Sequence, residues 1–236
     1  MTAILAIETA TDACSVAVYR DGQYQQRHEL APREHSQRLF GMLNELLPHG
    51  KLNEQGIEAI AYGCGPGSFT GLRIAASAVQ GLAFANNLPA IPVSTLACQA
   101  ATALRLGVID GDKPVLSTLD ARIKEIYAAL YDFADGIPRL QWGPVACAPG
   151  ALYLDGCDDA VQALGSGCQF IAEFPPDLAA VLHTRLPAIV PEARDLIPTA
   201  LQMLRLGEVQ SAAQVQPVYV RDEISWKKLA QQGKRS

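Results

Sequence analysis

The apolar and polar positions of the chain fall into two alternating rhythms. "TAILAIE" and "CSVAVYR" are nearly unbroken apolar runs, the pattern of buried strands, with the turn-prone "TATDA" between them. "GQYQQRHEL" starts at the Asp21-Gly22 hairpin signal, so three antiparallel strands open the chain. After Pro32 the period lengthens. In "REHSQRLFGMLNELL", Leu39, Met42, Leu43, Leu46 and Leu47 recur at helical spacing and predict a helix with one apolar face. "IEAIAYG" predicts a buried strand, followed by a glycine-rich loop and a helix from Gly71 to about Asn86. "LPAIPVST" predicts another strand, with Ser94 or Thr95 capping a helix that runs through Leu106.

The Gly, Asp and Pro punctuation of "LGVIDGDKP" marks a boundary. Beyond it "PVLSTLDA", "EIYAALYDF" and "PRLQWGPVA" repeat the opening order of strands without repeating its residues, an echo of architecture. "EARDLIPTALQMLRLGE" predicts the last main helix. The chain thus divides into residues 1–107, a smaller unit 108–220, and a tail 221–236, with order expected at Pro217–Tyr219 and a loose end beyond Trp226.

Composition narrows the function classes. The 236 residues are 49% hydrophobic and 18% charged, ample for a packed core. A net charge of −5 argues against a chain that grips nucleic acid by itself, since neutralising phosphates takes a basic excess. The start "MTAILAIETATDACSVAVYR" lacks a basic leader and breaks its apolar run at Glu8, so neither signal peptide nor anchor is expected. No run approaches a membrane span, and the expected location is the cytoplasm. Cys14, Cys64, Cys98, Cys147, Cys157 and Cys168 are scattered without a CxxC, which suits free thiols better than a disulfide framework or a zinc site.

The loop "GCGPGSFTGLRIA" holds the candidate chemistry. A P-loop needs a lysine after its last glycine, but Leu72 follows Gly71 and no lysine occurs between residues 52 and 112. The dinucleotide fingerprint fails because Ser68 and Thr70 stand where glycine is required. A nucleophile elbow fails because Pro66 stands two residues before Ser68. Capping of the next helix by Ser68 and Thr70 is the better reading, with weak anion contact by the glycine N–H groups as the residual chemical one. The helix that comes next is apolar almost all round, with Arg73, Ser77 and Gln80 confined to one sector. Ser77, Gly81 and Ala85 recur every fourth residue and form a smooth stripe that a second backbone could approach. Phe40 and Leu47 widen the apolar arc of the preceding helix. Two readings follow: a central core helix with no exposed side, or, favoured because large apolar patches are uncommon on monomers, a helix pair with one face on the sheet and the other on a second protein chain.

With those residues in view the chain resembles the TsaB/YeaZ family of tRNA threonylcarbamoyladenosine biosynthesis proteins. The likeness rests on "ILAIETATDACSVAV", "REHSQRL", "GPGSFTGLRIA", "STLACQA", "LDARIKEIYAALYD" and "PVYVRDEISW". It implies an α/β, duplicated actin-like ATPase fold (the ASKHA, ribonuclease H-like architecture) of mixed sheets flanked by helices, with the second half reduced. It also implies a non-catalytic subunit. With TsaD-like and TsaE-like proteins, such a subunit supports transfer of threonylcarbamoyl from threonylcarbamoyl-AMP to N6 of the adenosine beside the tRNA anticodon. ATP and metal are then expected in the TsaD-like partner and no cofactor in this chain alone; a homodimer is expected when the chain is alone, and tRNA is reached only through the complex. The partner interface implied by the two helices comprises His35, Leu39, Phe40, Leu43, Leu46, Leu47, Gly71, Leu72, Ala75, Ala78, Val79 and Leu82.

Departures from the catalytic relative sharpen this expectation. His35 is followed four residues later by Leu39, which breaks a two-histidine metal site, and its ring is expected to bond locally. Glu8, Asp12, Gly65 and Gly67 fall where such folds place their first phosphate hairpin and are the candidates for weak nucleotide contact. Asp120, Arg122 and Glu125 surround a turn and read as a solvated hairpin pair or a secondary surface. Lys227, Lys228, Lys234 and Arg235 form a basic cluster near Trp226 that reads as solvated or as a tRNA contact. The competing function is a free-standing ATP- or metal-dependent transferase or peptidase of the same superfamily.

Overall fold

The computed structural model describes residues 2–48, 51–154 and 160–220. The first sheet is built from β1 (Ala3–Glu8), β2 (Ala13–Arg20), β3 (Gln23–Leu30), β4 (Ala59–Gly65) and β5 (Ala90–Ser94), in the order β3-β2-β1-β4-β5. The β1–β2 and β2–β3 pairs are antiparallel, and the β1–β4 and β4–β5 pairs parallel. Between these strands lie α1 (His35–Leu46) and α2 (Phe69–Asn86), and α3 (Thr95–Arg105) follows β5.

The second sheet comprises β6 (Val115–Arg122), β7 (Glu125–Ala134), β8 (Ile137–Cys147), β9 (Val161–Leu164) and β10 (Leu182–Leu186), with α4 (Pro176–Val181) before β10. Its order, β8-β7-β6-β9-β10, reproduces the first sheet strand for strand, antiparallel on one side of β6 and parallel on the other. The architectural echo is therefore a duplicated topology.

Alternation along β1 explains the layers. Leu5 and Ile7 point to a core shared with α1 and α2, whereas Ile4 and Ala6 point to the opposite core. That second core is closed by Cys98 of α3 and by Leu196, Ile197 and Ala200 around α5 (Ile197–Leu206). Residues 193–206 belong in sequence to the 108–220 unit, yet their apolar side packs on the first sheet. They form a 3-10 turn, Ala193–Leu196, running into α5, rather than one continuous helix.

Helix α3 is buried from Thr95 to Ala103 because it serves both halves: Leu96, Ala100 and Ala103 pack with Val115, Leu119 and Tyr131 of the second sheet. Its end is fixed by Arg105, which binds Asp195 at 2.7 Å and Glu192 at 2.7 Å, while the Thr102 hydroxyl donates to Asp195 at 2.8 Å. Both predicted caps form: Ser68 Oγ accepts from Gly71 N, and Ser94 Oγ accepts from Ala97 N. Thr70 lies within the first turn of α2 rather than at its cap.

Candidate functional site

The glycine loop between β4 and α2 is packed against this chain's own backbone. A Cβ on Gly71 would lie 2.0 Å from Thr9 O, and one on Gly67 would lie 2.5 Å from Ala10 O. The turn between β1 and β2 is held in that space by bonds from Thr9 Oγ1 to Gly71 O at 2.8 Å and from Ser68 N to Ala10 O at 2.7 Å. Gly65, at φ +125°, makes room for Val218 O, 2.6 Å from where its Cβ would be. The loop is glycine-rich because its own chain approaches closely, which accounts for Gly65 and Gly67 without an anion.

Glu8 and Asp12 are not brought together as a phosphate hairpin. Glu8 is fully buried; its Oε1 accepts from Ala10 N at 2.6 Å and its Oε2 from Thr95 Oγ1 at 3.3 Å. Burial outweighs these bonds and pushes its pKa up to about 7. Asp12 sits exposed on the turn, where its backbone carbonyl accepts from Ala31 N at 2.9 Å. His35 bonds locally, as expected of a lone histidine: its Nε2 lies 2.8 Å from Thr11 O and ties the start of α1 to the same turn.

The helix pair does carry an outer face, but it is rotated from the expected one. Leu39, Leu43, Leu46, Leu47, Leu72, Ala75 and Val79 are buried in the core beneath α1 and α2, and His35 and Gly71 are buried as well. Of the expected interface, Phe40 is exposed, Leu82 is half-buried, and Ala78, though nearly covered, lines a surface groove. The correction has a simple cause: the polar sector of Arg73, Ser77 and Gln80 is the outward one, whereas Leu72, Ala75 and Val79, named for the interface, lie on the inward side.

The exposed stripe of α2 runs through Phe69, Arg73, Ser77, Gly81 and Phe84, with Phe84 82% exposed and Phe40 of α1 58% exposed beside it. A groove of about 510 Å³ between the helices is lined by Ser36, Phe40, Phe69, Thr70, Arg73, Ile74, Ser77 and Ala78. Among the described residues a Cβ on Gly81 would meet nothing within 4 Å, so none of them requires glycine there.

A strap from a later part of the chain braces two residues of the groove, Phe69 and Arg73. Val218 N donates to Cys64 O at 2.8 Å, which lays residues 216–219 across the glycine loop. Tyr219 then stacks on Phe69 with ring centroids 5.7 Å apart, and Arg73 lies 3.7 Å above the Phe69 ring while donating from Nε to Tyr219 Oη at 3.2 Å. Sequence reasoning missed Phe69, Tyr219 and Phe84 as surface residues. Phe69 and Tyr219 stand within the family motifs, but their meeting depends on a strap of 146 residues' separation that no local spacing reveals.

The remaining candidates are local. Asp120 accepts from Arg122 N at 2.8 Å and from the Arg122 guanidinium at 3.4 Å, the hairpin pair anticipated from sequence. The five cysteines among the described residues are free thiols, four of them buried. Among the described residues no helix is long and apolar enough to cross a membrane. Trp226, Lys227, Lys228, Lys234 and Arg235, together with His49 and Cys157, lie outside the described residues.

Two topologically identical mixed sheets, each flanked by helices, define an α/β protein of the actin-like ATPase type. Known proteins narrow this further. The family model "TsaD: tRNA N6-adenosine threonylcarbamoyltransferase" matches residues 27–153. The tRNA threonylcarbamoyladenosine biosynthesis protein TsaB of Escherichia coli is 38% identical over 229 residues, covering 96% of this chain and 97% of that protein. The TsaB of Haemophilus influenzae is 33% identical over 244 residues, covering 96% of each. A crystal structure of YeaZ from Pseudomonas aeruginosa superposes with a TM-score of 0.83 at 35% identity, covering 93% of this chain and all of the other. A second Pseudomonas aeruginosa structure, described as having similarity to peptidase YeaZ, gives the same score and identity over 94% of this chain. The chain belongs to the TsaB (YeaZ) family.

Proposed function

We propose that the protein is a non-catalytic subunit in tRNA threonylcarbamoyladenosine biosynthesis, acting in the cytoplasm by docking a TsaD-like chain on the outer face of α1 and α2. The observation that carries this reading is the exposed row of Phe40, Phe69 and Phe84 around a glycine that none of the described residues requires. Apolar rings flanking a lane of small residues suit a second helix packed at close range. The chemistry then belongs to the partner, which supplies ATP and metal. In this chain the spaces beside Gly67 and Gly71 are taken by Ala10 and Thr9, and the neighbouring carboxyl of Glu8 is buried, which supports a nucleotide site that has been lost. A TsaE-like protein joins the complex, tRNA is reached through it, and the free chain pairs with itself.

The test is to mix the chain with its TsaD-family partner and follow association by light scattering. Phe40→Glu and Gly81→Trp, both at exposed positions, are expected to abolish pairing while leaving the unfolding transition unchanged. Undiminished pairing by both folded variants would move the interface elsewhere and sink the reading.

A further inference from the structure

The groove between α1 and α2 contains one charged residue among its described lining, Arg73. Its guanidinium carbon sits 3.7 Å over the Phe69 ring and its Nε donates to the Tyr219 hydroxyl at 3.2 Å, two contacts that favour one orientation before anything binds. Arg27, Arg38, Arg105, Arg122 and Arg139 each pair with a carboxylate of this chain. Among the described residues Arg73 has no such pair, as is true also of Arg20, Arg33, Arg185, Arg194 and Arg205; what sets Arg73 apart is that it lines the groove, with two η nitrogens that carry no described hydrogen bond. A pre-oriented guanidinium edge at an apolar groove is a receptor for a planar, doubly accepting group.

Resting on the docking reading above, we infer that Arg73 is the specificity-determining residue of the groove. It receives a carboxylate from a helix of a non-identical partner chain, and Tyr219 is its positioning residue. The charge of the groove argues against a second copy as the preferred occupant. A twofold interface presents the same patch from both sides, so self-pairing sets Arg73 against a lining of phenylalanines, hydroxyls, Ile74, Ala78 and a second Arg73. The carboxylates flanking α1 on this surface, Glu29 and Glu45, are already engaged by Arg38 and Arg27, and Glu34 does not line the groove. An acidic partner helix satisfies the guanidinium, whereas the described groove lining of a twin offers it no carboxylate. The apolar walls, Phe40, Phe69 and Ile74, suit a protein helix better than a nucleic-acid backbone.

The experiment measures two affinities for each variant, pairing with the purified TsaD-family chain and self-association, across a salt series. Arg73→Gln is expected to weaken the heterologous complex by about tenfold or more, as interface arginines do. It should also flatten the salt dependence of that complex and leave self-association equal or tighter. Tyr219→Phe keeps the ring and removes the acceptor. It should give a smaller loss that disappears in the Arg73→Gln background, whereas a purely structural role for the strap would weaken both complexes alike. Equal losses in self- and heterologous pairing, or an unchanged heterologous affinity while Phe40→Glu still abolishes it, would overturn the inference and leave the docking reading standing. Loss confined to tRNA binding by the assembled complex would also overturn it, by making Arg73 a phosphate contact.

Discussion

The two halves share a strand order and differ in the cover that each sheet receives. In the first, β4 hands the chain to the 18-residue α2; at the same place in the second, β9 leads into an eight-residue 3-10 run, Ser166–Glu173, and the six-residue α4. Each half also sets a glycine against a threonine carbonyl, at different points: Gly71 lies inside α2 and Thr9 beyond β1, whereas Gly165 directly follows β9 and Thr118 lies within β6. A Cβ on Gly71 would meet Thr9 O at 2.0 Å, and a Cβ on Gly165 would meet Thr118 O at the same distance. Thr9 Oγ1 donates to Gly71 O and Thr118 Oγ1 to Leu164 O, each at 2.8 Å. Duplication has kept the sheets, whose strands depend on one another for register, and has let their flanking layers diverge. Only a helix of several turns can bury one side and still offer the other, and the first half alone has retained such a pair beside an unclaimed surface.

The comparison can be strained most at Leu39. It is fully buried beneath α1, so Leu39→Ala is expected to cost about 4 kcal/mol, the scale for a core leucine. Neighbouring Phe40→Ala should change stability by no more than about 0.5 kcal/mol. Urea unfolding of the two variants decides whether the inner and outer faces of α1 divide between these two residues.

The strand ends offer the next contrast. Asp120, at the end of β6, is held by Arg122 and Gln169, whereas Glu8, at the end of β1, is sealed with few donors. The folded state raises Glu8 from its ordinary 4.5 to about 7 and so binds the proton more tightly than the unfolded chain. Its stabilising contribution is therefore complete below pH 4.5 and is lost as pH rises to about 7. The amount is on the order of 3 kcal/mol at 1.36 kcal/mol per unit. Glu8→Gln should flatten this part of the stability–pH curve, and an unaltered curve would show that another group governs it.

Smaller effects are expected from the two glycines. Gly71→Ala should cost about 2 kcal/mol, because the added methyl meets Thr9 backbone that cannot swing aside. Gly165→Ala should cost at least as much, since Gly165 also stands at φ +90°, where a side chain is strained; a smaller loss than at Gly71 in thermal unfolding would count against that added strain.

Much of this fold is legible in the amino-acid pattern because the relevant forces are local. The Asp21-Gly22 turn, the Ser68 and Ser94 caps and the leucine spacing from Leu39 to Leu47 each specify conformation within a few residues. The outward sector of α2 was legible in Arg73, Ser77 and Gln80, but the expected interface named apolar residues, Leu72, Ala75 and Val79, that face inward. The strap was not legible, because Tyr219 reaches Arg73 through a pairing of Val218 with Cys64 that the tertiary fold alone creates. The glycine loop was legible as a hinge into a helix. That its empty space is filled by Thr9 and Ala10 depends on β1 and β4 being neighbours.

The return of α5 to the first sheet bears on how the chain is made. During synthesis, a nascent chain that has released only its first 107 residues already has β1 to β5, but Ile4, Ala6, Ile91 and Val93 still await Leu196, Ile197 and Ala200. The earliest sheet therefore stays greasy on one side until residues 196–200 have left the ribosome, a long window for chaperones or unwanted neighbours.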